Sequence, residues 1–191
     1  MSATENKMII FSAPSGSGKS TIINYLLDKG FPIEFSISAT TRAPRGTEKE
    51  GVEYYFLSVK DFKNRIKKGE FLEYEEVYEN RFYGTLNSEC ERIWSKGKTI
   101  VFDVDVAGGI RLKELFGDRA LAIFVKLPSI EELERRLRVR NTETEEELQK
   151  RLAKASHEIG FSYMFDNIVV NDDLKKACAH AEELVSNFLH Y

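Results

Sequence analysis

One ten-residue segment constrains this chain more than any other: Ser12-Ala13-Pro14-Ser15-Gly16-Ser17-Gly18-Lys19-Ser20-Thr21. It follows a short apolar run, Met8-Ile9-Ile10-Phe11, that reads as a buried strand. It precedes a helical pattern carried by Ile22, Ile23, Leu26 and Leu27, which Gly30 stops. Gly16 and Gly18 let the backbone curl so that successive N–H groups converge on one point, where phosphate oxygens bind. The positive end of the following helix adds to that field. Lys19 can reach the β and γ phosphates of a nucleotide, and the Ser20 hydroxyl can ligate Mg²⁺. Gly-Lys-[Ser/Thr] alone arises by chance in roughly one chain of this length in ten, and requiring Gly16 as well lowers that below about one in a hundred. The full phosphate-loop pattern begins with Gly, where this chain has Ala13. Pro14 follows, and a residue before proline is pushed to extended conformations that alanine adopts without strain.

Further apolar runs at Thr99–Asp103, Leu121–Leu127 and Asn167–Val170 read as strands. Between and after them come helical patterns at Leu112–Phe116, Ile130–Val139, Glu146–Ile159 and Leu174–Leu189. Strands of buried type alternating with helices predict an α/β fold, a parallel sheet core with helices on both faces. Two stretches break this rhythm. Residues 36–87 are rich in Tyr and Phe and carry turn signals at Pro44 and Gly46, as in an inserted, partly antiparallel subdomain. Residues 131–160 are highly charged and contain no strand signal. The expected organisation is a core of 1–35, 88–130 and 161–191, with the two stretches as inserted pieces.

A phosphate loop identifies a nucleotide, not a reaction. The segment Ser38-Ala39-Thr40-Thr41-Arg42-Ala43-Pro44-Arg45 adds two arginines beside a proline turn, a clamp for a second phosphate. Tyr54 can donate to the same group, and Glu73, Tyr83 and Thr85 add a carboxylate and two hydroxyls. Asp103 and Asp105 alternate at the C-terminal end of a strand, where open α/β sheets bind ligands.

With these motifs, and with Arg140-Asn141-Thr142-Glu143-Thr144-Glu145 and Val170-Asn171-Asp172-Asp173, the sequence resembles the guanylate kinase family from about Met8 to Phe188. The resemblance implies a P-loop nucleoside monophosphate kinase that transfers the γ-phosphoryl group of ATP to GMP, and by expectation to dGMP. Residues 36–87 then become the GMP-binding subdomain and 131–160 a lid. Ala13, Pro14, Ser15, Gly16, Ser17, Gly18, Lys19, Ser20 and Thr21 would bind ATP, with Asn171 near the adenine. Arg42, Arg45, Tyr54 and Tyr83 would hold the GMP phosphate, while Ser38, Glu73, Thr85 and Asp105 read the guanine. Ser20 and Asp103 would serve Mg²⁺. Lys19, Arg42 and the lid arginines Arg136, Arg140 and Arg151 would be catalytic. Arg136 and Arg140 have the i, i+4 spacing of one helical face, and Arg135 and Arg138 are assigned to solvent. The family often has Gly where this chain has Val139 and Asn141.

Guanine chemistry agrees with this set. Its N1–H and exocyclic amine are adjacent donors that one carboxylate accepts together, whereas adenine presents an acceptor at N1. Two other readings compete. Related scaffold domains bind peptides but lack the phosphate loop, which this chain keeps. A kinase of a sugar bisphosphate would not need Ser38, Glu73 and Thr85.

The chain has 191 residues with 28 Lys or Arg and 31 Asp or Glu, a net charge of −3, which gives no global pull toward nucleic acid or an anionic membrane. Two distant cysteines, Cys90 and Cys178, match neither a disulfide framework nor a metal cluster, and no apolar stretch is long enough to span a bilayer. The N-terminal residues 1–7 lack a signal core. A cytoplasmic monomer or homodimer is expected, with no nucleic-acid or membrane partner.

Overall fold

The computed structural model describes residues 6–140 and 144–190, the side chain of Arg140 excepted. Asn141, Thr142 and Glu143, and the first five residues, therefore lie outside the described residues.

β1 (Met8–Ser12) is buried along its whole length. It lies in a five-stranded parallel sheet between β7 (Thr99–Asp103) and β8 (Ala120–Lys126), with β2 (Ile33–Phe35) and β9 (Asn167–Val170) at the edges. The unbroken apolar runs have a simple cause: helices cover both faces, so neither parity of side chain meets water. Ile9 and Phe11 pack on one face with residues of α1 (Lys19–Asp28) and α7 (Leu174–His190). Met8 and Ile10 pack on the other with α4 (Val106–Phe116) and α3 (Asn87–Trp94). The fold is an α/β phosphate-loop kinase fold, as the sequence leads one to expect.

Between β2 and α3 the chain forms a second sheet of four strands, ordered β4 (Tyr55–Phe56), β3 (Ala39–Thr40), β6 (Arg81–Leu86) and β5 (Phe71–Tyr78). β5 and β6 make an antiparallel hairpin, and Asn80 at its turn takes the left-handed φ of 57° that a tight reversal needs. One face is closed by α2 (Val59–Lys67), capped by Ser58, whose hydroxyl accepts from the Asp61 amide at 3.0 Å. Phe62 of α2 stacks on Phe71 and Phe82 at ring separations of 4.2 and 5.2 Å. The opposite face is left for the cleft.

α5 (Ile130–Arg140) and α6 (Glu145–Ile159) pack through Leu133, Leu137, Leu148 and Leu152. α6 begins with a reciprocal cap between Thr144 and Glu147, which explains its sharp start amid so much charge.

Candidate active site

The segment after β1 curls as its glycines require: Gly16 and Gly18 have φ of 94° and 87°. Ala13 does not, since the only non-glycine residues with positive φ among those described are Asn6 and Asn80. Alanine therefore fits the first loop position without backbone strain. Gly18 caps α1 with no side chain bound to the helix N-terminus, so the first N–H groups remain available to an anion. The loop is fixed from within by Ser17, whose hydroxyl donates to the Pro14 carbonyl at 2.8 Å. It is braced from behind by Asn171, whose amide donates to the Ser17 carbonyl at 2.8 Å.

Asn171 is only 2 % exposed, and through this bond its side chain holds the loop. A Cβ at Gly18 would meet the Asn171 amide nitrogen at 2.3 Å, so a side chain there would have to displace that amide.

The loop forms one wall of a cavity of about 490 Å³. Lys19 crosses that cavity's floor, with its ammonium paired to the Asp103 carboxylate and 3.4 Å from the Val104 carbonyl. Ser20, in the first turn of α1, and Asp103, at the end of β7, both line the cavity. Their donor set is a hydroxyl and a carboxylate, hard oxygen ligands that suit Mg²⁺. Among the described residues no cluster of three or more His, Cys, Asp or Glu is suited to a metal. A dication here would therefore take most of its shell from phosphate and water.

A second cavity of about 170 Å³ opens on the cleft face of the smaller sheet. It shares Asp103, Val104 and Asp105 with the first. Ser38, Tyr54, Glu73 and Tyr83 line it, and Glu73 accepts a hydrogen bond from Thr85 at 2.8 Å. Register explains the grouping: Glu73 pairs with Thr85 and Glu75 with Tyr83 across β5 and β6, so alternate residues share the cleft face. Burial, and then the nearby Asp105 charge, push the Glu73 carboxyl above its ordinary range, and Thr85 opposes them. Asp105 is not part of the β7 strand. It is the N-cap of α4, accepting from the Gly108 amide at 2.8 Å while still lining both cavities.

The acceptor arginines differ from each other. The Arg42 guanidinium is buried, lies 5.1 Å from the Tyr54 ring and is gripped by both Glu48 oxygens at 2.8 and 2.9 Å. Tyr83 lies against it as well, and Tyr54 and Tyr83 meet edge to face at 6.0 Å. Glu48 and the Ala43 carbonyl take three of the five guanidinium donors, leaving two for other oxygens. The side chain of Arg45 is exposed, and its amide donates to the same Glu48 at 2.7 Å.

Arg136 and Arg151 point from the two charged helices toward the loop. Arg136 is held by Glu132 at 2.8 Å and donates to the Asn171 carbonyl at 3.2 Å. Arg151 comes to 3.5 Å from the Ser15 hydroxyl. Arg135 and Arg138 pair with glutamates on the exposed side, and Val139 is exposed.

Sequence reasoning missed three site residues. Glu48 grips the Arg42 guanidinium and accepts from the Arg45 amide, but a lone Glu in a charged turn gives no signal. Glu75 was findable, because it sits two residues from Glu73 on the same strand face. A hydrogen bond that its protonated form donates to Asp105, then burial and the Asp105 charge, raise its carboxyl to about 7, with Lys154 and Arg111 opposing. Glu158 of α6 lines the loop cavity with Lys154, and burial raises its carboxyl too.

A phosphate loop and an acceptor cavity that meet at Asp103–Asp105 define a phosphate-loop kinase acting on a small phosphorylated acceptor. A family model described as guanylate kinase matches residues 5–188. A guanylate kinase of Bacteroides fragilis is 56 % identical over 185 residues, 97 % of this chain and 91 % of that one. One from Porphyromonas gingivalis is 52 % identical, covering 96 % and 98 %. The crystal structure of a guanylate kinase from Anaplasma phagocytophilum superposes with a TM-score of 0.75 at 30 % identity, over 96 % of this chain and 86 % of that one. The chain belongs to the guanylate kinase family.

Proposed function

We propose that this cleft performs the family's reaction with the residues assigned below. The chain is a nucleoside monophosphate kinase that transfers the γ-phosphoryl group of ATP to GMP, giving ADP and GDP. The observation that carries the assignment is the shared wall: the loop cavity and the acceptor cavity meet at Asp103, Val104 and Asp105. Two phosphates bound at the two ends are thereby brought together, which removes most of the entropic barrier to transfer.

The loop amides of Ala13 to Thr21 and the Lys19 ammonium hold the donor phosphates, with Asn171 fixing the loop. Arg42, Arg45, Tyr54 and Tyr83 hold the acceptor phosphate. Ser38, Glu73, Thr85 and Asp105 read the guanine edge, where donors meet carboxylates. Residues 36–87 act as the acceptor subdomain and 131–160 as the lid. Arg136, Arg140 and Arg151 close over the transferring group and stabilise its spread charge. Closure also excludes water, which would otherwise hydrolyse ATP. No general base is needed, because the acceptor phosphate is already anionic. Mg²⁺ bound with ATP, and held by Ser20 and Asp103, would neutralise phosphate charge.

dGMP is proposed as a second acceptor. No described helix is long and apolar enough to cross a membrane. The cysteines Cys90 and Cys178 are free and buried, which suits a reducing cytoplasm. A coupled ADP-release assay comparing GMP, AMP and a ribose bisphosphate tests the acceptor reading. Turnover with GMP far above the other two is expected, and preference for either rival refutes the guanine assignment.

A further inference from the structure

The chain leaves the core after β2 and returns to it in α3. At that junction lies a carboxylate that the reaction does not use. Glu89, in the first turn of α3, is 2 % exposed and lines neither cavity. A buried carboxylate persists only where its oxygens are satisfied. Here one oxygen accepts from the Ile37 amide at 2.9 Å and from Arg92 Nη2 at 2.7 Å. The other accepts from the Tyr55 hydroxyl and from Arg92 Nε, both at 2.9 Å. Arg92 in turn pairs with Glu34 of β2, which Lys96 and Lys98 also hold at 2.8 and 2.9 Å.

The partners come from different parts of the fold. Glu34 belongs to the core sheet, Ile37 to the irregular segment that leaves it between β2 and β3, and Tyr55 to the acceptor sheet. Ile37 precedes Ser38, and Tyr55 follows Tyr54, so the bonds act one residue away from two proposed acceptor contacts. Those two segments are tied to each other as well, by the Tyr55 amide donating to the Ser38 carbonyl at 2.9 Å. Burial works against the charge on Glu89, yet Arg92, the Ile37 amide and the Tyr55 hydroxyl outweigh it and hold the carboxyl below its ordinary range.

We infer that Glu89 is a positioning residue for the phosphoryl acceptor, locking both the segment after β2 and strand β4 of the acceptor sheet to the core through Ile37, Tyr55 and Arg92. An apolar side chain of similar size would fill the same space. It could not hold a backbone amide, a tyrosine hydroxyl and a guanidinium in one geometry, and conformational specificity is what buried ionic groups contribute in some proteins. The inference rests on the placement of the acceptor at Ser38 and Tyr54.

The test is steady-state kinetics with each substrate varied against saturating partner, together with thermal melts. Glu89→Ala should raise the KM for GMP about tenfold, with the KM for ATP within about twofold of wild type. Tyr55→Phe, which removes one hydroxyl, should raise the KM for GMP about threefold and add nothing in the Glu89→Ala background. Glu89→Gln keeps an acceptor for Ile37 and should fall nearer wild type than alanine does. If Glu89→Ala does not fold, Tyr55→Phe carries the test alone. Lower melting temperatures with both KM values unchanged would make Glu89 merely structural, and equal rises in both KM values would make it a general fold residue; either result overturns the inference. Arg42→Ala separates the two levels. If it raises the KM for GMP while the Glu89 and Tyr55 variants do not, only the inference fails; if it too leaves that KM unmoved, the acceptor placement and the inference fail together.

Discussion

Glu73→Gln separates recognition from stability in a single atom change. In the wild type, one Glu73 oxygen accepts from the Thr85 hydroxyl at 2.8 Å, and the side chain lines the acceptor cavity. In the variant the Thr85 proton can be accepted only by the amide oxygen, which turns the NH₂ group into the cavity. The guanine edge also presents donors, N1–H and the amine, so donor then faces donor. Losing a charge-assisted hydrogen bond costs about 1.5 kcal/mol or more, and leaving a buried donor unpaired costs at least about 1 kcal/mol further. Together these come to about 2.5 kcal/mol, or roughly 60-fold in the KM for GMP. The KM for ATP should stay within about twofold, because Glu73 does not line the loop cavity.

Stability should move the other way. Burial and Asp105 raise the Glu73 carboxyl, so its contribution is fully present below the unfolded pKa and is lost as pH rises through the folded one. At neutral pH the charge costs stability, and the uncharged amide should melt at the same temperature or higher. Coupled ADP release with each substrate varied, beside a thermal melt at pH 7, reads both quantities. Equal KM rises for GMP and ATP, or a binding loss that tracks a fall in melting temperature, would refute the reasoning.

Lys19→Ala should lower turnover by about a hundredfold or more while GMP binding, read by calorimetry, stays near wild type; retained turnover would remove Lys19 from the chemistry. Gly18→Ala forces alanine to a φ of 87° and drives its Cβ to 2.3 Å from the Asn171 amide nitrogen. The left-handed backbone costs about 1 kcal/mol and the displaced Asn171–Ser17 bond about as much again, so denaturant melts should show about 2 kcal/mol lost, with ATP affinity reduced far more than GMP affinity. For Glu75, whose carboxyl is raised from 4.5 to about 7, the stabilising protonated form is lost as pH rises through that window. Glu75→Gln keeps a neutral side chain, so its melting temperature should gain on wild type between about pH 4.5 and about 7, and a pH-independent difference would show that Glu75 does not titrate there.

Legibility followed the length scale of the interactions. Thr99–Asp103 and Asn167–Val170 form strands over the very residues their apolar runs mark, because a parallel sheet covered on both faces leaves an unbroken signal. α5 and α6 start within a residue of their periodic patterns. β2 was invisible at three residues, and α2 shows a single buried residue, Phe62, among lysines. α4 begins at Val106, six residues before the Leu112 pattern, since Gly108 and Gly109 give no apolar period and the Asp105 cap is what starts it. The site divides in the same way. The loop is contiguous in sequence and could be read whole. Asn171 beneath Ser17 and Glu89 across Ile37 and Tyr55 depend on contacts between distant segments, which no local pattern encodes, and Glu48 on Arg42 is local but sits in a turn with no periodic signal.

Under the proposed function, the distribution of charge around the acceptor cavity favours one orientation of the nucleotide. Glu73, Glu75 and Asp105 all line the cavity, and two of these carboxyls are raised partly by the Asp105 charge. Arg42 lies outside that lining, against Tyr54 and Tyr83. A phosphate dianion placed among the carboxylates would face repulsion of order 1 kcal/mol per charge pair even at the dielectric of water, and several times that in a partly buried cavity. A base rich in donors instead finds acceptors in those carboxylates. The proposed pose therefore sets the guanine on Glu73 and the phosphate toward Arg42, Tyr54 and Tyr83. A net charge of −3 conceals this separation, because orientation depends on the gradient of charge within the cleft and not on the sum over the chain.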